Sequence, residues 1–341
     1  MSGAGDDSPA SDGIMNAESG ARTAAPADGE IRAFLDLLRC PATGGPLELR
    51  DRALVSADGA HGYPIDDAGI AQFAATPESS DAQMQQAHYD RVADTYITNL
   101  SYPHTREYTA YLDQALLVQL PAAGLGDVAE ICCGRGEAVE LVAGRFKRAV
   151  GVDISLNMLR AARNDHHAPN LAFIQGDATR LPLADGAFDS VFMLGGIHHV
   201  NDRAALFREV ARILKPGGRF YFREPVSDFW PWLMLRAVIY RISPSLDHLT
   251  ERPLRYDETA PYLTGAQLRL TSWKTYGFFG FCLLMNSDVL VFNRLFRFIP
   301  GIRAITRAFA RFDDWITSRR NWTQRGLQVV GVAEKPERSL S

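Results

Sequence analysis

Cysteine is scarce in this chain: Cys40, Cys132, Cys133 and Cys282 are the four among 341 residues. Four are too few for a disulfide framework, and the adjacent pair Cys132 and Cys133 is poorly placed to bridge to itself. A small, disulfide-stapled secreted scaffold is excluded, and a reducing, cytoplasmic setting is expected. Long apolar runs are also missing. The longest, near 229–240 and 277–285, fall short of the ~20 residues that span a bilayer, so no transmembrane helix is expected. Charge of one sign is not in excess either. A formal net charge of -4 and a pI near 6.1 give no global electrostatic reason to expect nucleic acid as a partner. Residues 1–29 lack an apolar core and begin with acidic rather than basic side chains, so they read as a disordered tail and not a secretory signal.

The rest of the chain has the composition of a globular protein, divided by changes in pattern. Residues 30–76 carry LLRCPATGGPLEL and YPIDDAGIAQF, short apolar runs punctuated by Gly and Pro, which predict small strands joined by turns. So small a unit holds little core alone and is expected to pack on the larger domain after it. From 83 to 120 the spacing becomes helical, broken at Pro103. From Asp127 onward strand-like runs alternate with helical ones: VAEIC, AVGVDI, LAFIQGDA, DSVFMLGGI and RFYFRE, with helices between them. That alternation predicts an α/β fold, a mostly parallel sheet with helices on both faces. Residues 225–325 form an aromatic and arginine-rich insertion, read as helical, and 326–335, carrying LQVVGVAEK, reads as a final edge strand returning to the sheet.

Within AEICCGRGEAVEL a strand ends, a glycine turn comes next and a helix opens. Gly134 and Gly136 would let the backbone approach a ligand, and the helix N-terminus offers N–H groups to a carboxylate. Glu130, ending the strand, is a candidate to hold an ammonium group. Asp153 in GVDIS ends the next strand about twenty residues on, where an acid grips ribose hydroxyls. Asp177 and Ala178 in QGDA end the third strand, where a carboxylate accepts from the exocyclic amine of adenine. Ile154 and Leu194 lie beside these strand ends as further candidate contacts. A dinucleotide-binding oxidoreductase remains an alternative, although it needs neither Glu130 nor the Asp177 segment.

EICCGRG, GVDIS, QGDA and LPLADGAFDSVF followed by GGIHHV together resemble the class I S-adenosylmethionine-dependent methyltransferases, in particular the small-molecule group with the ubiquinone and menaquinone enzymes. The resemblance covers roughly residues 89–224. It implies a Rossmann-like seven-stranded sheet, S-adenosyl-L-methionine as cofactor and a small-molecule acceptor. It also implies that HYDRVADTYITNL closes over the cofactor, with Tyr89 and Tyr96 as lid residues; half-buried core tyrosines are the alternative. Cys132 departs from the pattern by standing where the family most often has its first glycine. The unit at 30–76 is similar to a zinc ribbon that precedes some of these enzymes, but Cys40 is followed by Thr43 in place of a second cysteine. With Cys40 and His61 alone, a four-ligand zinc site is incomplete, and no metal is expected.

Methyl transfer from a sulfonium needs alignment and exclusion of water, and a base only where the nucleophile is acidic. His198 and His199, after the fourth strand, are candidate bases, set against a packing or cofactor-contacting role. Glu224, at the end of RFYFRE, orients substrate, acts as the base or simply pairs with an arginine. In the insertion, Ile302, Ile305, Phe309, Phe312 and Ile316 predict one apolar helical face, with Arg303, Arg307 and Arg311 on another. Either that face packs on the sheet domain, or 290–316 contacts the inner membrane face peripherally. A catalytically silent cofactor-binding or scaffold protein is the third class of function.

Overall fold

The computed structural model describes residues 28–75, 101–229, 252–285, 291–320 and 324–337, with isolated positions 83, 84, 86, 98, 232 and 234. The tail, Tyr89 and Tyr96 lie outside the described residues.

The chain enters through a short helix α1 (Asp28–Arg32) and a small antiparallel sheet of β1 (Leu47–Arg50), β2 (Ala53–Ser56) and β3 (Gly62–Pro64). The next strand, β4 (Ala71–Gln72), leaves that sheet and pairs parallel to β7 (Leu171–Gln175). The N-terminal unit is thus an extension of the main domain. Its buried Phe34, Leu38, Leu54 and Ile65 belong to the same apolar cluster as Val191, Phe207 and Phe222. Cys40 is buried there with its Sγ 3.2 Å from Tyr63 Oη.

Helix α2 (Pro103–Leu117) starts at the proline that separates the helical segments, where a missing N–H costs nothing. Then β5 (Asp127–Ile131), α3 (Glu137–Leu141), β6 (Arg148–Asp153), α4 (Leu156–Asp165), β7, β8 (Phe188–Leu194), α5 (Arg203–Ile213) and β9 (Leu214–Pro225) alternate as the pattern predicts. Side-chain caps fix two of the turns into helices. Ser155 accepts from Met158 N at 3.3 Å at the start of α4, and Asp202 accepts from Ala205 N at 2.8 Å at the start of α5.

After β9 come α6 (Tyr256–Gly265), β10 (Arg269–Tyr276), α7 (Phe279–Leu284), α8 (Ile302–Thr317) and β11 (Gln328–Glu334). The sheet has eight strands in the order β10-β11-β9-β8-β5-β6-β7-β4, parallel except for β11. Two expectations are corrected here. The sheet has eight strands, not seven, because β4 adds to one side. The last strand is no edge: β11 lies between β9 and β10, and six of its seven residues are buried, as a strand covered on both sides requires. The true edge, β10, lies inside the stretch read as helical insertion; its residues alternate more weakly and include Arg269 and Lys274.

One face of the sheet carries the N-terminal unit, α5 and α6; the other carries α2, α3, α4, α7 and α8. Asp313 on α8 ties the second layer together. It is fully buried, and its Oδ2 accepts from Tyr108 Oη at 2.6 Å and from the backbone N–H groups of Phe278, Gly280 and Phe281 at 2.9, 2.8 and 3.3 Å. One carboxylate therefore caps α7 and links it to α2 and α8. Asp313→Ala leaves these buried donors unpaired and is expected to cost at least ~2 kcal/mol, read from the midpoint of urea unfolding.

Candidate active site

The strand order fixes where a ligand can sit. From β5 the chain winds one way through β6 and β7 and the other way through β8 and β9, so a crevice opens beyond the carboxyl ends of β5 and β8. Gly134 follows β5 with φ +52°, and Gly195 follows β8 with φ +77°; a Cβ at either would meet nothing within 4 Å. Backbone alone faces the crevice at both points.

Around this opening the loops are held by carboxylates. Asp153, 9% exposed at the end of β6, accepts from Gly134 N at 2.8 Å through Oδ2 and from Ser155 N at 2.9 Å through Oδ1. It stands beside the glycine loop and fixes it. Asp177, half-buried after β7, accepts from Thr179 N and Oγ1 through Oδ1 at 2.8 and 2.7 Å. Ala178, Ile154 and Leu194 are half-buried at the same strand ends. The carbonyl of Ile154 accepts from Gln175 Nε2 at 3.0 Å and from Gln86 Nε2 at 3.4 Å, which brings position 86 over the end of β6.

Glu130 is buried, and its two oxygens accept from Ala138 N at 2.7 Å and Val139 N at 2.9 Å. The carboxylate caps α3 and anchors the glycine loop. Those N–H groups are thereby committed, and the five-residue α3 does not offer them to a ligand carboxylate. Burial pushes the Glu130 carboxyl up to about 8. Gly136 is likewise a packing glycine. Its N–H donates to Cys133 O at 2.7 Å, and a Cβ there would lie 2.9 Å from Val139 Cγ2.

Cys132 takes φ +52°, a conformation that favours glycine, and it does so where the motif usually has one. Room for its side chain comes from 64 residues away: a Cβ on Gly196 would lie 2.6 Å from Cys132 Cβ. Gly196→Ala is therefore expected to destabilise the protein by roughly 1–3 kcal/mol, with part of the loss recovered in Cys132→Gly/Gly196→Ala; thermal melts of the two variants check the coupling.

Across the crevice, Glu224 at the end of β9 is fully buried. Its Oε1 accepts from the N–H groups of Gly196 and Ile197, both at 2.8 Å, and its Oε2 lies 2.8 Å from His198 Nδ1. Glu224 thus fixes both the loop after β8 and the imidazole on it. Burial raises its carboxyl to about 7. His199 lies against His198, ring centroids 3.8 Å apart. The sequence could not show that Glu224 reaches His198 and not an arginine. Arg223, its neighbour, points the other way and pairs with Asp113 and Glu137.

Residues 129–222, which span the glycine loop, both acid-bearing strand ends and the His198 loop, match the family described as methyltransferase domain. The chain is 35% identical over 142 residues to a demethylmenaquinone methyltransferase of Renibacterium salmoninarum, covering 40% of this chain and 57% of that one. It is 34% identical over 168 residues to a ubiquinone/menaquinone biosynthesis C-methyltransferase of Syntrophotalea carbinolica, 45% and 65% of the two chains. The chain spans a little over half the length of the first of these relatives. In fold it is similar to the [4+2]-cyclase SpnF, with a TM-score of 0.53 at 17% identity, over 75% of this chain and 96% of that one. The matched stretch sets bare backbone at Gly134 and Gly195 beside an acid at each of the next two strand ends, a lining that fits S-adenosylmethionine.

Proposed function

We propose that the chain is an S-adenosylmethionine-dependent methyltransferase acting on a small, apolar or aromatic acceptor. The observation that carries the reading is the crevice itself, lined by Gly134 and Gly195, with Asp153 on one side and the Glu224-held His198 on the other. In this reading Asp153 receives the ribose hydroxyls, Asp177 the adenine amine, and Ile154, Ala178 and Leu194 give apolar contact to the base. Gly134 and Gly195 let the ligand lie on the backbone. Tyr89 and Tyr96 belong to a lid.

Bound S-adenosylmethionine supplies an electrophilic methyl carbon, whose bond to sulfur breaks as the acceptor's electron pair forms the new one. The chain's own work is alignment, exclusion of water and care of the acceptor's proton. With Glu224 ionised, Nδ1–H of neutral His198 donates to it, and Nε2 is then the nitrogen that takes a proton from an acidic acceptor. Glu224 is a positioning residue and not the base itself, since its oxygens are engaged by backbone and imidazole. The relatives' names make a quinone-type ring the first acceptor to try, and a peripheral membrane contact through 290–316 would bring such an apolar substrate within reach. Incubating the chain without oxygen with methyl-labelled S-adenosylmethionine and a demethylated naphthoquinol, whose reduced ring supplies the electron pair and the acidic hydroxyl proton, tests the reading. Label in the quinol, absent in His198→Ala, supports it; no transfer to any apolar or aromatic ring in a panel would remove it.

A further inference from the structure

The insertion between β10 and β11 begins and ends at one edge of the sheet. Tyr276, Gln328 and Pro225 lie side by side in register, so β10 ends and β11 begins where β9 ends, one residue past Glu224. The segment 277–327 therefore rises from the same edge as the crevice.

Helix α8 in that segment has three faces, not the two its sequence suggests. Ile302, Thr306, Ala310, Asp313 and Thr317 are buried against the domain. At about 100° per residue, Arg303, Arg307 and Arg311 form a second strip, and Ile305, Phe312 and Trp315 a third. The third strip is exposed: Phe312 is 45% and Trp315 53% accessible. The expected apolar face is thus split, its Ile302 edge packed and its Ile305 and Phe312 edge open. Phe279 on α7 continues the open strip, with ring centroids 6.2 Å from Phe312 and 5.8 Å from Phe312 to Trp315. Two arginines sit over exposed rings: Arg319 lies 4.3 Å from the centroid of Trp315, and Arg297 4.7 Å from that of Phe298, which is 68% accessible.

We propose that this face docks on an anionic lipid bilayer, with Phe279, Phe312 and Trp315 at the boundary of head groups and acyl chains and the arginines on the phosphates. The proposal rests on the reading of 290–316 as membrane-facing and gives it a face and a lipid charge. Charge chooses the occupant. Between positions 289 and 312 there are five arginines and no acid. A second copy of the chain meeting this face about a twofold axis would set one arginine row against another. An anionic surface meets both features: apolar rings insert, and Arg303 and Arg311 gain from the surface potential, while Arg307 pairs with Glu107 at 2.9 Å and the exposed Asp314 is the one acid on that strip. No helix among the described residues is long and apolar enough to cross a membrane, so contact of this kind is peripheral.

The test is co-sedimentation of the full chain with vesicles of phosphatidylcholine alone and of phosphatidylcholine with phosphatidylglycerol. S-adenosylmethionine binding is titrated in the same preparations. Expected are at least tenfold tighter binding to the anionic vesicles, weakening as salt rises, and a tenfold or greater loss in both Phe312→Ser/Trp315→Ser and Arg303→Glu/Arg311→Glu. Cofactor binding should stay unchanged in both, which also reports that they fold. No binding to anionic vesicles, equal binding to neutral ones, or a Phe312→Ser/Trp315→Ser variant that loses self-association in place of vesicle binding would overturn the proposal. A chain that binds vesicles but not the cofactor keeps the surface and loses the enzymatic reading; the reverse result removes the surface alone.

Discussion

Asp153→Ala is expected to weaken S-adenosylmethionine binding by about 100-fold or more, roughly 2.8 kcal/mol, while the protein still folds. Two causes add. Hydrogen bonds to a carboxylate contribute about 1.5–3 kcal/mol each, and a ribose diol makes two of them. The same side chain also holds Gly134 N and Ser155 N, so its loss slackens the loop on which the ligand lies. Asp153→Asn separates the two. It keeps an acceptor for one backbone N–H but has only one oxygen for the ligand, so its affinity should fall between wild type and alanine. Calorimetric titration reads all three proteins, and an alanine variant that binds as wild type does would remove the ribose assignment.

The second large effect is on turnover. His198→Ala should lower kcat by about 10²–10³-fold on an acceptor with an acidic nucleophile, with cofactor affinity within about threefold of wild type. Glu224→Gln tests the positioning role. The amide can present an N–H to Nδ1, which moves the imidazole proton to Nε2 and leaves no lone pair for the acceptor's proton; kcat should fall while KM holds. The pH profile gives a signature that packing alone would not. Burial holds the Glu224 carboxyl up to about 7, so the pair keeps a proton at acidic pH and gives it up as the pH rises through that region. The rate on such an acceptor should therefore climb through about pH 7 in wild type, and Glu224→Gln should lose that limb. His199→Ala, assayed beside His198→Ala, separates the two imidazoles, since His198 is the one whose Nδ1 lies 2.8 Å from Glu224. Full turnover in His198→Ala would end the base assignment.

The parallel core was legible because its signals are local. Alternating strands and helices and acids at strand ends are each set by a few neighbouring residues. What escaped depends on contacts distant in sequence. That Glu130 caps α3 is decided by where the chain goes next, and its motif position says nothing of that. The compensation between Cys132 and Gly196 joins two loops that neighbour each other only because β5 and β8 pair. Nothing in the neighbouring residues marks Asp313, which meets Tyr108 across 205 residues. The strand β10 was hidden because an edge strand needs only one buried side, and its Ser, Lys and Thr residues blur the alternation. The split face of α8 could not be foreseen either, since periodicity shows that a helix has an apolar stripe but not how much of it a neighbour covers.

The central claim, that the crevice at β5 and β8 binds S-adenosylmethionine, is met most directly by calorimetric titration of the purified chain with S-adenosylmethionine, S-adenosylhomocysteine and, beside them, NADH. The account predicts micromolar binding of the two sulfur compounds, lost in Asp153→Ala, and none of NADH. Binding of NADH, or of no compound of the three, would contradict it.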